Sequence, residues 1–214
     1  MHIAAIPLDQ KQSVVQTQND WSVAKMENAK AEADFNAVTS ELTGVRNERE
    51  KAKLQVNTAI SNKKSAEASS DTNKVNVAQK DLRSAELAVK AADARLKYYE
   101  AYRGYLKRVW RTAQENMYWR EAQYELAKAQ LAQKNNIAPK GITYDSFPKQ
   151  EGERNKRANS AKSKSESEKN RATGARDEWV RAQQTADQAA GTTSSFPDPM
   201  MPAVQPTTTG TLSP

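Results

Sequence analysis

The sequence predicts an all-α protein: a long antiparallel coiled-coil hairpin of two helices, about residues 10–67 and 74–136, with a shorter third helix, about 148–190, packed on its base and a disordered tail behind it. Three observations predict this. From Ala78 to Leu131, apolar residues recur at alternating steps of four and three through Leu82, Val89, Leu96, Tyr99, Leu106, Trp110, Met117 and Tyr124, and only Arg103 and Arg120 place a charge on that seam. A heptad seam so long needs a partner helix along its whole extent. A second seam of similar length runs from Val14 to Ala66 through Trp21, Phe35, Val38, Leu42 and Val45. Finally, 37% hydrophobic and 28% charged residues suit extended helices, which bury a narrow stripe and solvate the rest.

Pro7 to Gln10 lead into the first helix, with Asp9 as its expected cap, and the helix itself is expected to be close to 87 Å long at about 1.5 Å per residue. Ser69-Ser70-Asp71-Thr72-Asn73 then interrupts. The two seams slip by one residue across it, and its polar side chains compete for backbone hydrogen bonds and favour caps and turns. A hairpin is therefore expected in place of one uninterrupted helix of about 127 residues, which would oblige a homo-oligomer. The hairpin sets Leu106 near Phe35, Tyr99 near Leu42, Leu96 near Val45, Val89 near Ala52 and Met117 near Ala24, mostly large against small or medium, and allows a monomer.

Asn135-Asn136, followed by Pro139-Lys140-Gly141, ends the second helix, because Asn tolerates a left-handed cap and Pro cannot continue a helix. Ser146 is the expected cap of the third helix and Pro148 suits its first turn. Its seam, Ala158, Ala161, Ser165, Glu168, Ala172, Ala175, Trp179, Ala182, Ala186 and Ala189, permits close approach but buries little area per turn, so it depends on aromatics of its neighbours. Folding it back on the second helix is expected to set Trp179 beside Tyr105. Residues 1–190 then form one extended domain, while residues 191–214, rich in Pro and Thr and without a period, are expected to be disordered.

The chain carries 33 basic and 26 acidic residues, a net charge of +7. Residues 1–79 are balanced at ten and ten, so the excess lies in 80–134, with twelve against seven, and in 149–190, with ten against seven. Such an excess suits nucleic acid or an anionic membrane and equally serves solubility. Tyr98, Tyr99, Tyr102, Tyr105, Trp110, Tyr118, Trp119 and Tyr124 crowd into 27 residues that also hold Arg103, Lys107, Arg108 and Arg111, with no acid between Glu100 and Glu115. Those four cations are the candidate anion- or partner-binding residues, since bases and headgroups are gripped by cations interleaved with aromatics. Trp21, Phe35, Tyr99, Tyr105, Trp110, Tyr124 and Trp179 are the candidate structural aromatics, suited to half-buried positions where three helices meet. Arg103 and Arg120, on the seam itself, are expected to snorkel.

No catalytic signature accompanies these helices. The chain has no Cys, and His2, its one His, lies at the terminus, so neither a thiolate site nor a His-based triad or metal site can be built. Glu48/Glu50 and Glu166/Glu168 stand two apart on different helix faces, and no Gly-rich phosphate loop exists. No enzyme activity, metal, cofactor or small-molecule substrate is expected. The opening Met-His-Ile-Ala-Ala-Ile-Pro-Leu lacks the basic start and long apolar run of a signal peptide, and no segment approaches the roughly 20 apolar residues of a membrane span. The Ala-, Lys-, Glu- and Gln-rich helices are similar in composition to the coiled-coil hairpins of bacterial envelope adaptor proteins and to three-helix membrane-curving domains, with no motif shared. The expected function is that of a non-catalytic coiled-coil spacer or scaffold for protein partners; the alternative is binding of nucleic acid or anionic membrane through the basic second and third helices. Richness in Ala, Gln, Asn and Thr, with no Cys and a Pro/Thr tail, fits a bacterial cell envelope and also a cytoplasmic or virion scaffold.

Overall fold

A computed structural model describes residues 3–138, 140–141 and 143–201. These form three helices, α1 (Gln12–Ala68), α2 (Thr72–Lys134) and α3 (Ser146–Ala190), with a short 3-10 turn at Leu8–Lys11 leading into α1. Each helix boundary lies within two residues of the sequence expectation. α2 is the common partner, with α1 antiparallel along one face and α3 antiparallel along the next. Its 63 residues span about 95 Å, against about 68 Å for the 45 residues of α3.

The hairpin turn is made by three polar residues. Ser69 donates its hydroxyl to the Ala66 carbonyl at 2.7 Å, Ser70 adopts the left-handed conformation at φ 55°, and the Asp71 carboxylate caps α2 by accepting from the amides of Asn73 and Lys74 at 3.0 and 3.3 Å. At the other end of α2, Asn136 takes the left-handed position at φ 56°. The Ile137 amide then reaches back to the Ala132 carbonyl at 2.9 Å and the Asn136 amide to Gln133 at 3.1 Å. That pair of bonds is a Schellman cap, and it turns Ile137 onto a base cluster of Ile6, Val14, Ala127 and Leu131. Two expected caps are corrected. Asp9 lies inside the 3-10 turn that follows Pro7 and makes no cap bond, and Ser146 is already helical, its hydroxyl bonded to the Thr143 carbonyl at 2.7 Å.

Every buried residue of α1 (Val14, Ala24, Ala31, Val38, Leu42, Val45, Ala59 and Ala66) stands on its predicted seam. α2 carries two buried stripes, the second offset from the first by one residue at Ala91, Arg95 and Tyr98 and by two at Glu115, Ala122 and Ala129. One, with Tyr99, Leu106, Ala127 and Leu131, meets α1; the other, with Ala91, Arg95, Tyr98, Glu115, Ala122 and Ala129, is buried on the adjoining stripe that meets α3. Adjacent residues sit about 100° apart around a helix, so neighbouring seams can serve two partners. The densest core is where all three helices contribute, with Val38, Leu42 and Val45 from α1, Tyr98, Tyr99 and Leu106 from α2, and Trp179 from α3.

The register of α3 differs from expectation. Trp179 stacks on Tyr98, ring centres 5.6 Å apart and planes at 23°, a full heptad from Tyr105. Sliding an Ala seam by seven residues leaves it in phase, so the seam alone does not select a register. The aromatic stack selects it, together with Trp119 Nε1 donating to Glu151 at 2.6 Å. Beyond Gly191, where the sequence suggests one structureless tail, residues 192–201 pack back across α2 and α3, with Phe196 against Arg95 and Asp198 against Tyr98 and Arg176. A Phe and an Asp that meet complementary groups on two helices hold a segment that has no period of its own. Residues 202–214 lie outside the described residues.

Candidate anion-binding groove

The four cations singled out by the sequence divide between two faces of α2. Arg103 turns to α1, where its Nε donates to the Thr39 hydroxyl at 2.9 Å and its guanidinium lies 4.8 Å from the Phe35 ring centre. Its partner on the seam, Arg120, likewise lies over Trp119 at 4.5 Å and donates to Gln123 at 2.9 Å. Lys107 is exposed. Arg108 and Arg111 face α3, where Arg157 and Lys164 come to meet them across a groove of about 290 Å³ that Ser160 and Ala161 also line.

Glu115 forms part of that groove. It is 5% exposed, and one carboxylate oxygen lies 2.6 Å from Arg111 Nη2 in an ion pair, which holds the arginine head at the groove wall. The other oxygen, Oε2, has no hydrogen-bond partner among the described residues. Four cations around one carboxylate leave the groove electropositive. Guanidinium forks match phosphate and carboxylate geometry two bonds at a time, whereas lysine contributes a mobile point charge. Because the rim is exposed, binding there is screened by salt.

The sequence identified Arg108 and Arg111 but not Arg157, Lys164 or Glu115. Arg157, Ser160, Ala161 and Lys164 recur at steps of three and four and border the Ala158–Ala161 seam, a spacing that could have been read as one helix face. The aromatics lie along the helix contacts. Trp21 stacks on Tyr124 at 5.7 Å, Phe35 tilts against Trp110 at 5.6 Å, and Tyr105 lies 6.2 Å from Tyr102 at the edge of the Tyr98–Tyr99–Trp179 core. Burial pushes the hydroxyls of Tyr98, Tyr99 and Tyr102 above the usual tyrosine range. Among the described residues no group of three or more His, Asp or Glu side chains is arranged to hold a metal ion, and no helix is long and apolar enough to cross a membrane.

Fold and groove together define an elongated three-helix coiled-coil protein with a small groove between α2 and α3 lined by four cations and one carboxylate. Neither the known protein families, nor the curated proteins, nor the solved structures contain a match to this chain.

Proposed function

We propose that the chain is a non-catalytic helical spacer or scaffold, a stiff rod that holds protein partners at a set separation. The observation that supports this is the double seam of α2: both apolar stripes are covered by helices of the same chain, so the rod needs no second copy to be complete. Its ends differ chemically, a polar turn at Ser69–Asp71 and an apolar plug of Ile6, Val14 and Leu131 at the base, which suits two different partners. Light scattering combined with small-angle X-ray scattering tests the reading. A monomer with a maximum dimension near 95 Å, the length of α2 at about 1.5 Å per residue, is expected. A compact particle or an obligate dimer overturns it.

One observation favours a second reading, binding of an anionic polymer or surface. Arg157 and Lys164 join Arg108 and Arg111 from a different helix, so cations distant in sequence converge on one groove. Phosphate-dominated binding falls steeply with salt. An oligonucleotide and vesicles of anionic lipid, each titrated at low and high salt, separate nucleic acid from membrane, and binding of neither at low salt removes this reading.

A further inference from the structure

The chain reverses after α3 through a left-handed Gly191, with the Thr192 amide bonded to the Asp187 carbonyl at 3.0 Å. Ser194 fixes the new direction, its amide and hydroxyl both donating to the Asp187 carboxylate, at 3.0 and 2.7 Å. The segment beyond has no ladder of backbone bonds and is held by anchors that α2 and α3 present. Phe196 lies on the Arg95 guanidinium at 4.5 Å, the Pro197 carbonyl accepts from the Tyr99 hydroxyl at 3.5 Å, Asp198 accepts from Tyr98 and Arg176, and the Met200 amide donates to the Tyr98 hydroxyl at 3.2 Å.

The seat is built by the helices themselves. Tyr98, with no exposed surface, is fixed by its stack on Trp179, and Arg176 is also held by Asp177 at 3.6 Å. Neither contact is made by the segment itself. The segment also fills its seat incompletely. Phe196 remains 40% exposed, while Arg95 beneath it is 8% exposed with its Nε unpartnered among the described residues. Beside these two side chains a cavity of about 140 Å³ runs between α1 and α2, walled by Val45, Ala52, Ala88 and Ala92 and also by the charged Glu48 and Lys51. Arg95 makes no ion pair among the described residues, although Glu48 lines the same cavity, so the seat has an unused guanidinium donor and room for apolar volume at one spot.

We propose that this seat is a docking site for an extended segment of a partner protein with an aromatic–Pro–Asp core, and that residues 194–200 are its occupant in cis. Each position has a chemical reason. The aromatic covers Arg95 as a cation–π partner, Pro holds the segment extended and lowers the ordering cost, and the carboxylate takes charge-assisted bonds from Arg176 and Tyr98. A partner with a bulkier aromatic, or with an acid just before it, fills the cavity and meets Arg95. The cis segment, joined to α3 by only a few residues, acts at millimolar effective concentration, so a partner displaces it only by binding better. The seat stands independently of the spacer reading.

The test uses the full chain and a labelled synthetic peptide of residues 192–201. The double variant Phe196→Ala/Asp198→Ala empties the anchors without touching the helices, which circular dichroism verifies. It is expected to bind the peptide at least ten-fold more tightly than the wild type, and a peptide carrying Asp198→Ala is expected to lose that binding. Equal binding to both proteins, or to neither at millimolar peptide, overturns the proposal. Hydrogen exchange on the unaltered protein supplies a second measurement. Amides of 194–200 are expected to exchange while those around Tyr98 stay protected, and equal protection of both makes the segment a permanent brace and overturns the proposal. A wild-type dimer that the double variant does not form assigns the occupant to a second copy, which also overturns it.

Discussion

Replacing Trp179 with alanine tests whether one aromatic anchor holds α3 in place. α3 buries seven residues, of which only Trp179 and Phe147 are large, and Trp179 is 5% exposed against Tyr98. Truncating a buried Trp to Ala costs about 3–5 kcal/mol, which includes about 0.5–1.5 kcal/mol from the ring stack. An opposing effect comes from Nε1, which is buried with no hydrogen-bond partner among the described residues, so its removal returns about 1–3 kcal/mol of desolvation. On the central values, about 4 against about 2 kcal/mol, cavity and transfer win, and the net loss expected is about 2 kcal/mol. Trp179→Phe separates the two contributions because it keeps a stacked ring and drops the N–H, and it should cost no more than about 1 kcal/mol. Urea unfolding followed by circular dichroism reads both as midpoint shifts at constant slope. A loss below about 1 kcal/mol for Trp179→Ala, or equal losses for the two variants, refutes the reasoning.

Three further outcomes are expected. Ser70→Gly relieves a left-handed residue that is exposed at φ 55° and should stabilise the hairpin by about 0.5–1 kcal/mol, raising Tm by about 1–4 °C; an unchanged Tm counts against strain in the turn. Arg157→Glu with Lys164→Glu should weaken oligonucleotide or anionic-vesicle binding at least ten-fold and flatten its salt dependence, which for three or four neutralised single-strand phosphates has a logarithmic slope of about −2 to −3. Salt-independent binding by the wild type rejects the groove. The last outcome concerns pH. Burial alone would raise the Asp198 carboxyl, but hydrogen bonds from Tyr98, Arg176 and the Met200 amide outweigh it and hold the group below its ordinary value. Its stabilisation is therefore complete above the unfolded value of about 3.9 and is lost as pH falls through the lower folded value. The groups facing it, Tyr98 and Arg176, are both shifted upward, away from that window. The Met200 methyl resonance should hold its position from about pH 8 to 5 and move only below about 4; a transition near 6 would implicate another group.

The α1–α2 pairing was legible because it rests on two seams whose large residues differ along their length. The expected register sets Phe35, Leu42 and Val45 against Leu106, Tyr99 and Leu96, all six share one cluster, and the polar run at 69–73 says where to turn. The α2–α3 pairing was not, since Arg95 and Glu115 put charges on the stripe that meets α3 and hide it from an apolar count. The mostly Ala seam of α3 then fits any heptad shift. The groove shared that fate, because half of its cations come from α3 and meet Arg108 and Arg111 only in the correct register. Phe196 and Asp198 were unreadable for a different reason. A segment without periodicity is ordered here by what it touches, and the α2 groups it touches are about a hundred positions away.

Where the seams are filled decides where the rod is firm. In its middle, Val38, Leu42, Val45, Tyr98, Tyr99, Leu106 and Trp179 interlock across three helices, and at its base Trp21 stacks on Tyr124 beside Val14 and Leu131. Toward the turn, the hairpin buries only Ala59, Ala66 and Ala78, while Leu54 and Val77 stay 65% and 60% exposed. Each alanine removes little more than a methyl from water, roughly 0.8 kcal/mol at best, so the last turns rest on helix propensity and the Asp71 cap. Opening them breaks few tertiary contacts and leaves the middle intact, so amide exchange should quicken along α2 from Tyr98 toward Asp71. In the spacer role proposed above that gradient is useful, because the three-helix middle would fix the separation while the two-helix tip would yield to the shape of a partner.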